Sequence, residues 1–209
     1  LRPQYEKYSA RVADLLVTLM NADGIRIHTS EQRAKTVDSF REKIQRPGKS
    51  YADPIAELPD LCGIRIIVYH PEDVIAVEQL VRNEFKVDED NSGDAASRLA
   101  ANEFGYLSVH LVVSLSTQRK RLAEWKLFSN FRAEIQIRTV LQHAWADISH
   151  ALQYKNDDDV PDSLKRKLFL LSGLLELADR SDEHTSELQS QAYLVCRLLP
   201  EKKNSHMHT

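Results

Sequence analysis

The chain has 209 residues, with 28 Lys+Arg against 31 Asp+Glu, a formal net charge of −3 and 42% apolar residues. That is enough for one cored domain plus extensions and too apolar for a disordered chain. It excludes a membrane span of about 20 apolar residues, a disulfide scaffold or four-thiolate zinc site (only Cys62 and Cys196 are present), and a general DNA binder.

Taken in chain order, residues 5–20 place Tyr5, Tyr8, Val12, Leu15, Leu16 and Leu19 at helical spacing, closed by Asn21 to Gly24. Residues 35–46 predict a second helix with the stripe Val37, Phe40, Ile44 and, well around from it, Lys35, Ser39 and Lys43. From Arg26 to Lys49 seven Lys/Arg stand against three Asp/Glu. Such a stripe is either a solvated face or a cation–hydroxyl–cation ladder for a polyphosphate. Leu61 to Tyr69 is a nearly continuous β-branched run, so a buried strand with Asp60 at its start. Pro71 opens a helix to about Phe85 on Val74, Val77 and Val81, and 86–104 reads as a polar loop.

Tyr106 to Leu115 alternates: Leu107, Val109, Leu111, Val113 and Leu115 face one way, and Tyr106, Ser108, His110, Val112 and Ser114 the other. Ala133 to Arg138 alternates too, with Glu134, Gln136 and Arg138 on the polar side. A helix follows over 139–154 on Leu141, Trp145, Ile148 and Leu152, with His143, Asp147, His150 and Tyr154 as a second stripe. That stripe lacks a His pair at i, i+4 and reads as structural. An acidic loop at 156–162 leads to a last apolar helix over 164–178.

Glu134 and Arg138 on a sheet face must be paired or bound to something. With Asp60 as a second carboxylate, facing a Lys/Arg helix, the pattern fits a magnesium–nucleotide site: carboxylates for Mg²⁺, cations for phosphates. Paired structural charges fit it as well. Neither a Walker A loop nor a G-x-G-x-x-G motif occurs.

Four segments then stand in order: Arg33-Ala-Lys35-Thr-Val-Asp-Ser39-Phe-Arg-Glu-Lys43, Asp60-Leu-Cys-Gly-Ile-Arg65, Gly105-Tyr106-Leu-Ser-Val-His110, and Glu134-Ile-Gln136-Ile-Arg138-Thr. Together they resemble the successive motifs of the RelA/SpoT synthetase domain, in its small single-domain form, over roughly residues 5–179. The resemblance implies an α/β (α+β) fold: a mixed central sheet flanked by helices, nucleotidyltransferase-like. It implies a Mg²⁺-dependent pyrophosphokinase, or GTP/GDP diphosphokinase, that moves the β,γ-pyrophosphate of ATP to the 3′-hydroxyl of GDP or GTP and makes (p)ppGpp. Under it Arg33, Lys35, Ser39 and Lys43 resemble the ATP-binding residues, Arg33 stacking on adenine. Asp60 and Glu134 resemble the catalytic and metal-binding carboxylates. Tyr106, His110, Gln136 and Arg138 resemble the acceptor-nucleotide residues.

One departure stands out. Asn102, Glu103 and Phe104 precede Gly105, and Leu107 follows Tyr106, where basic residues are expected for the acceptor's 5′-phosphates. A toxin-like relative acting on the tRNA 3′ end is therefore the alternative, and an inactive nucleotide-binding module a third. No hydrolase-type His-Asp metal pair is expected. The expected setting is cytoplasmic, without DNA or membrane, and with homo-oligomerisation open.

The chain opens at Leu1 without a leader or initiator Met, as a fragment or trimmed chain would. The domain is expected to span 1–179. Residues 180–209 resemble translated sequencing-adapter read-through, are expected to make few contacts, and are not read as a metal site despite His184, His206, His208 and Cys196.

Overall fold

The computed structural model describes residues 2–48, 50–94, 108–153, 161 and 166–180, with the side chains of 94 and 150–153 excepted. Helix α1 (Arg2–Ala22) is followed by β1 (Ile27–Ala34), α2 (Val37–Ile44), a short α3 (Pro54–Glu57), a 3-10 turn (Pro59–Leu61) and β2 (Cys62–Val68). Then come α4 (Pro71–Glu84), β3 (Phe85–Val87), β4 (Gly93–Asp94), β5 (Val109–Leu115), α5 (Thr117–Lys120), a 3-10 segment (Ala123–Phe128), β6 (Arg132–Thr139) and α6 (Val140–Gln153). A further helix, α7, covers 166–180.

The sheet runs β1-β2-β6-β5-β3, with β4 beside β5. Among the described residues only β2 and β6 pair in parallel; the other ladders are antiparallel. The expected mixed sheet flanked by helices is therefore what forms.

Alternation splits the central strands into two faces. Cys62, Ile64, Ile66 and Val68 of β2, Leu111, Val113 and Leu115 of β5, and Ala133, Ile135 and Ile137 of β6 join one core. Tyr8, Val12, Leu16 and Met20 of α1 and Val74, Val77 and Val81 of α4 complete it from the side of the helices. This burial is the main source of stability, at about 25 cal/mol per Å² of apolar surface. The opposite face carries Arg65, Glu134, Gln136 and His110. Gly24 closes α1 with φ 73°, the left-handed cap its position predicts.

Several expectations are corrected. Residues 27–34 form an edge strand that periodicity did not reveal, because only Ile27 and Ala34 of its eight residues are apolar. Helix α2 starts two residues later than expected. Thr36 is its N-cap, its hydroxyl accepting from the Ser39 backbone N–H at 3.2 Å. Lys35 precedes that cap, held by a bond from its N–H to the Leu61 carbonyl at 3.0 Å. Val37 is exposed, and α2 contributes only the half-buried Phe40 and Ile44 to the core. Phe85, expected to end the helix, and residues 86–87 and 93–94, expected to be loop, lie in short strands.

In α6, Trp145 is buried as expected, whereas Ile148 is exposed. His143 pairs with Asp147 at 3.7 Å; the side chains of His150 and Tyr154, which share its stripe, lie outside the described residues. The tail, 181–209, lies outside them too. Thr139 at the end of β6 donates to buried Asp179 at 3.0 Å, which ties α7 to the sheet.

Candidate active site

Strand register builds the site. Across the open face, Glu31, Arg65, Gln136 and His110 lie side by side on β1, β2, β6 and β5. The neighbouring row is Arg33, Gly63, Glu134 and Val112. A Cβ on Gly63 would meet Arg33 Cγ at 3.6 Å, so the arginine chain crosses directly over the glycine. Between these rows and the 3-10 turn opens a cavity of about 310 Å³, lined by Arg33, Asp60, Gly63, Arg65, Glu134 and Gln136 among others. That volume is at the small end of ordinary ligand pockets.

Asp60 sits in the turn before β2, where Pro59 opens the helical turn. Its Oδ2 accepts from Lys35 Nζ at 2.7 Å and from Lys43 Nζ at 2.6 Å. Its Oδ1 is buried without a hydrogen-bond partner among the described residues. Burial pushes the Asp60 carboxyl up, but the two ammonium groups outweigh it and hold the group below its ordinary range. The expected ladder is therefore bent. Lys35 reaches Asp60 from the extended segment and Lys43 from the last turn of α2, while Ser39 bonds Thr36 at 2.9 Å and stays exposed.

Glu134 is held differently. Its Oε1 lies 3.0 Å from His110 Nδ1, and His110 Nε2 lies 2.7 Å from Ser108 Oγ. Burial raises the Glu134 carboxyl, the His110 contact and charge lower it, and Asp60 pushes back up; the net position is below its ordinary value. Arg138 is 7% exposed and donates from Nη2 to Gln136 Oε1 at 3.2 Å. Burial, then the nearby Arg65 charge, hold its pKa below the usual guanidinium value.

Arg65 is a site residue that the pattern reading did not single out. It interrupts an apolar strand, which was the available signal, and it pairs with Glu31 at 3.1 Å on the cavity rim. Ser108, expected on the polar strand face with Tyr106 and His110, was not among the expected site residues. Tyr106 lies outside the described residues.

A sequence profile described as the region found in RelA / SpoT proteins matches residues 32–159, which contain all of these site residues but Glu31. The chain belongs to the RelA/SpoT family. GTP pyrophosphokinase YjbM of Bacillus subtilis is 32% identical over 161 residues, covering 76% of this chain and 70% of that protein. GTP pyrophosphokinase YwaC of the same organism is 27% identical, covering 68% of this chain and 65% of that protein. Among solved structures, a GTP pyrophosphokinase family protein from Streptococcus pneumoniae superposes with a TM-score of 0.70 at 26% identity, covering 91% and 93% of the two chains. The small alarmone synthetase 1 of B. subtilis bound to its product pppGpp gives 0.66 at 27%, covering 90% and 93%. The RelA/SpoT match thus agrees with the order in which the four motifs were met along the chain.

Proposed function

We propose that this chain is a GTP pyrophosphokinase: it transfers the β,γ-pyrophosphate of ATP to the 3′-hydroxyl of GDP or GTP, releasing AMP and forming (p)ppGpp. The observation that carries the reading is the convergence of Lys35 and Lys43 on the Asp60 carboxylate in a cavity shared with Glu134. Kinship to two GTP pyrophosphokinases and to a synthetase bound to pppGpp supports the choice of substrates.

Asp60 and Glu134 fit a magnesium ion. Both are ionised oxygen donors, and the orphaned Oδ1 of Asp60 is a buried acceptor without a donor among the described residues. Mg²⁺ usually takes one or two carboxylates and completes its shell with water and phosphate oxygens. When bound, it would supply charge neutralisation for the transferred phosphates.

The chain's own residues do the rest. In this transfer the acceptor 3′-oxygen bonds to the β-phosphorus as the bond from that phosphorus to the AMP oxygen breaks. Lys35 and Lys43 leave Asp60 in part to hold the phosphates, which gain charge-assisted hydrogen bonds. Arg33 and Arg65, which line the same cavity, supply guanidinium planes for the donor base. Glu134 takes the 3′-hydroxyl proton, and its lowered pKa keeps it in the basic form. Transfer of this kind depends on positioning and electrostatics more than on covalent help.

The same reading places the enzyme in the cytoplasm; none of the described helices is long and apolar enough to cross a membrane. It also includes self-association, supported by the exposed Leu170, Leu171 and Leu174 along α7 and tested by sedimentation velocity.

The direct test is incubation with ATP labelled in its γ-phosphate, Mg²⁺, and GDP, GTP or tRNA in parallel. Label on the guanosine nucleotides is the expected result. Label on the tRNA 3′ end alone would reassign the acceptor, and no transfer to any of them overturns the reading.

A further inference from the structure

Ser108, His110 and Glu134 form one hydrogen-bonded row on the open face of the sheet. The Ser108 Oγ to His110 Nε2 distance is 2.7 Å, and His110 Nδ1 to Glu134 Oε1 is 3.0 Å. His110 is on β5, opposite Gln136 of β6, while Glu134 is opposite Val112. The imidazole therefore reaches its partner along the diagonal between the strands.

The inventory is that of a nucleophilic serine triad, but its polarity is reversed. In such triads the serine meets the substrate and the acid lies buried behind the histidine. Here Ser108 is 7% exposed, whereas Glu134 lines the cavity. Placement rules the serine out as a nucleophile. The row ends on the carboxylate, so any effect it has is delivered there.

Donor rules fix the direction. An ionised carboxylate only accepts, so His110 Nδ1 donates to Glu134. A neutral ring then has Nε2 as acceptor, and the Ser108 hydroxyl donates to it; with a charged ring the same hydroxyl accepts. Ser108 thus satisfies the imidazole in either form and keeps its plane in place. Asp60 lines the same cavity, so this hold fixes Glu134 beside a second carboxylate.

We propose that Ser108 and His110 are positioning residues: the buried hydroxyl locks the imidazole, and the imidazole holds the Glu134 carboxylate in one orientation toward the acceptor hydroxyl. The inference rests on Glu134 being the group that takes the acceptor proton. His110 then acts on the reaction through Glu134.

The test is a kinetic series on the full chain: Ser108→Ala, Ser108→Thr, His110→Asn and His110→Gln, each alone and combined with Glu134→Gln. Misplacement of a reacting group predicts a fall in kcat of about 10- to 100-fold for Ser108→Ala, with both nucleotide KM values within about twofold. Ser108→Thr restores most of the rate. His110→Asn, which keeps a donor near the Nδ1 position, retains more activity than His110→Gln. In the Glu134→Gln background Ser108→Ala has no further effect.

A full additional loss in that background assigns Ser108 to folding alone and overturns the proposal, as does a rise in KM at unchanged kcat. Near-wild-type turnover of Glu134→Gln itself would instead defeat the reading on which the inference rests. The two are separated by a readout that needs no turnover: side-chain ¹⁵N shifts of His110 at fixed pH. A protonated Nδ1 in the native chain, with the two tautomers mixed in Ser108→Ala as the released ring turns away from Glu134, supports the hold on the imidazole. Unchanged shifts overturn it.

Discussion

Asp60 and Glu134 face one cavity, yet they are restrained by opposite means. Asp60 is held by two ammonium groups on a single oxygen, on flexible stems from the extended segment before α2 and from its last turn. Glu134 is held by an imidazole that is itself anchored to a buried hydroxyl just before the adjacent strand. The first arrangement exchanges partners easily, because phosphate oxygens can replace the carboxylate at each lysine. The second is built to keep one orientation. Under the proposed function the difference is a division of duty: the Asp60 side would receive the phosphates, and the Glu134 side would aim at the acceptor.

The largest test of that division is Glu134→Gln. It should fold and bind ATP yet lose turnover by about 10²–10⁴-fold, the usual worth of a general base, measured in the labelled-transfer assay. Near-wild-type rates would erase the distinction between the two sides. Lys35→Ala and Lys43→Ala should each raise the KM for ATP by about 10-fold or more, since a charge-assisted hydrogen bond is worth ~1.5–3 kcal/mol. The KM for the acceptor should move much less.

Acid sharpens the same contrast. Both carboxyls sit below their ordinary range in the folded chain, so an unfolded chain binds more protons between the two values. Their contribution to stability is present at neutral pH and is lost as pH falls below about 4. Thermal midpoints followed downward in pH should drop less steeply for Asp60→Asn than for the native chain. The smallest effect belongs to the rim: Glu31→Ala removes a half-exposed partner of Arg65 and should change stability by no more than about 1 kcal/mol in a melt.

Much of this was legible in the sequence where pattern and burial coincide. The β-branched run at 62–68 and the alternation of 109–115 and 132–139 announce strands, because each buries one full face. The edge strand 27–34 was hidden, since its conformation comes from pairing with β2 and not from its own side chains. The same non-local pairing explains Lys35. Helical periodicity placed it on α2, but its N–H is claimed by the Leu61 carbonyl, and that bond aims its ammonium at Asp60.

The two carboxylates could be named from their strand positions and from the family resemblance. That Glu134 is tied through His110 to Ser108 could not be, because the contact runs diagonally between strands and depends on register. Arg65 was in plain view as a charge inside an apolar strand; its role became visible only beside Glu31 and over the cavity.

The central claim, that Asp60 competes with phosphates for Lys35 and Lys43 while Glu134 does not, can be measured without turnover. ATP is titrated by calorimetry, in excess EDTA, into the native chain, Asp60→Asn and Glu134→Gln. Asp60→Asn is expected to bind ATP about tenfold more tightly, from two lysines freed of their partner, and Glu134→Gln with affinity within about twofold of native. Equal or weaker binding by Asp60→Asn, or a gain shared by both variants, would contradict the claim.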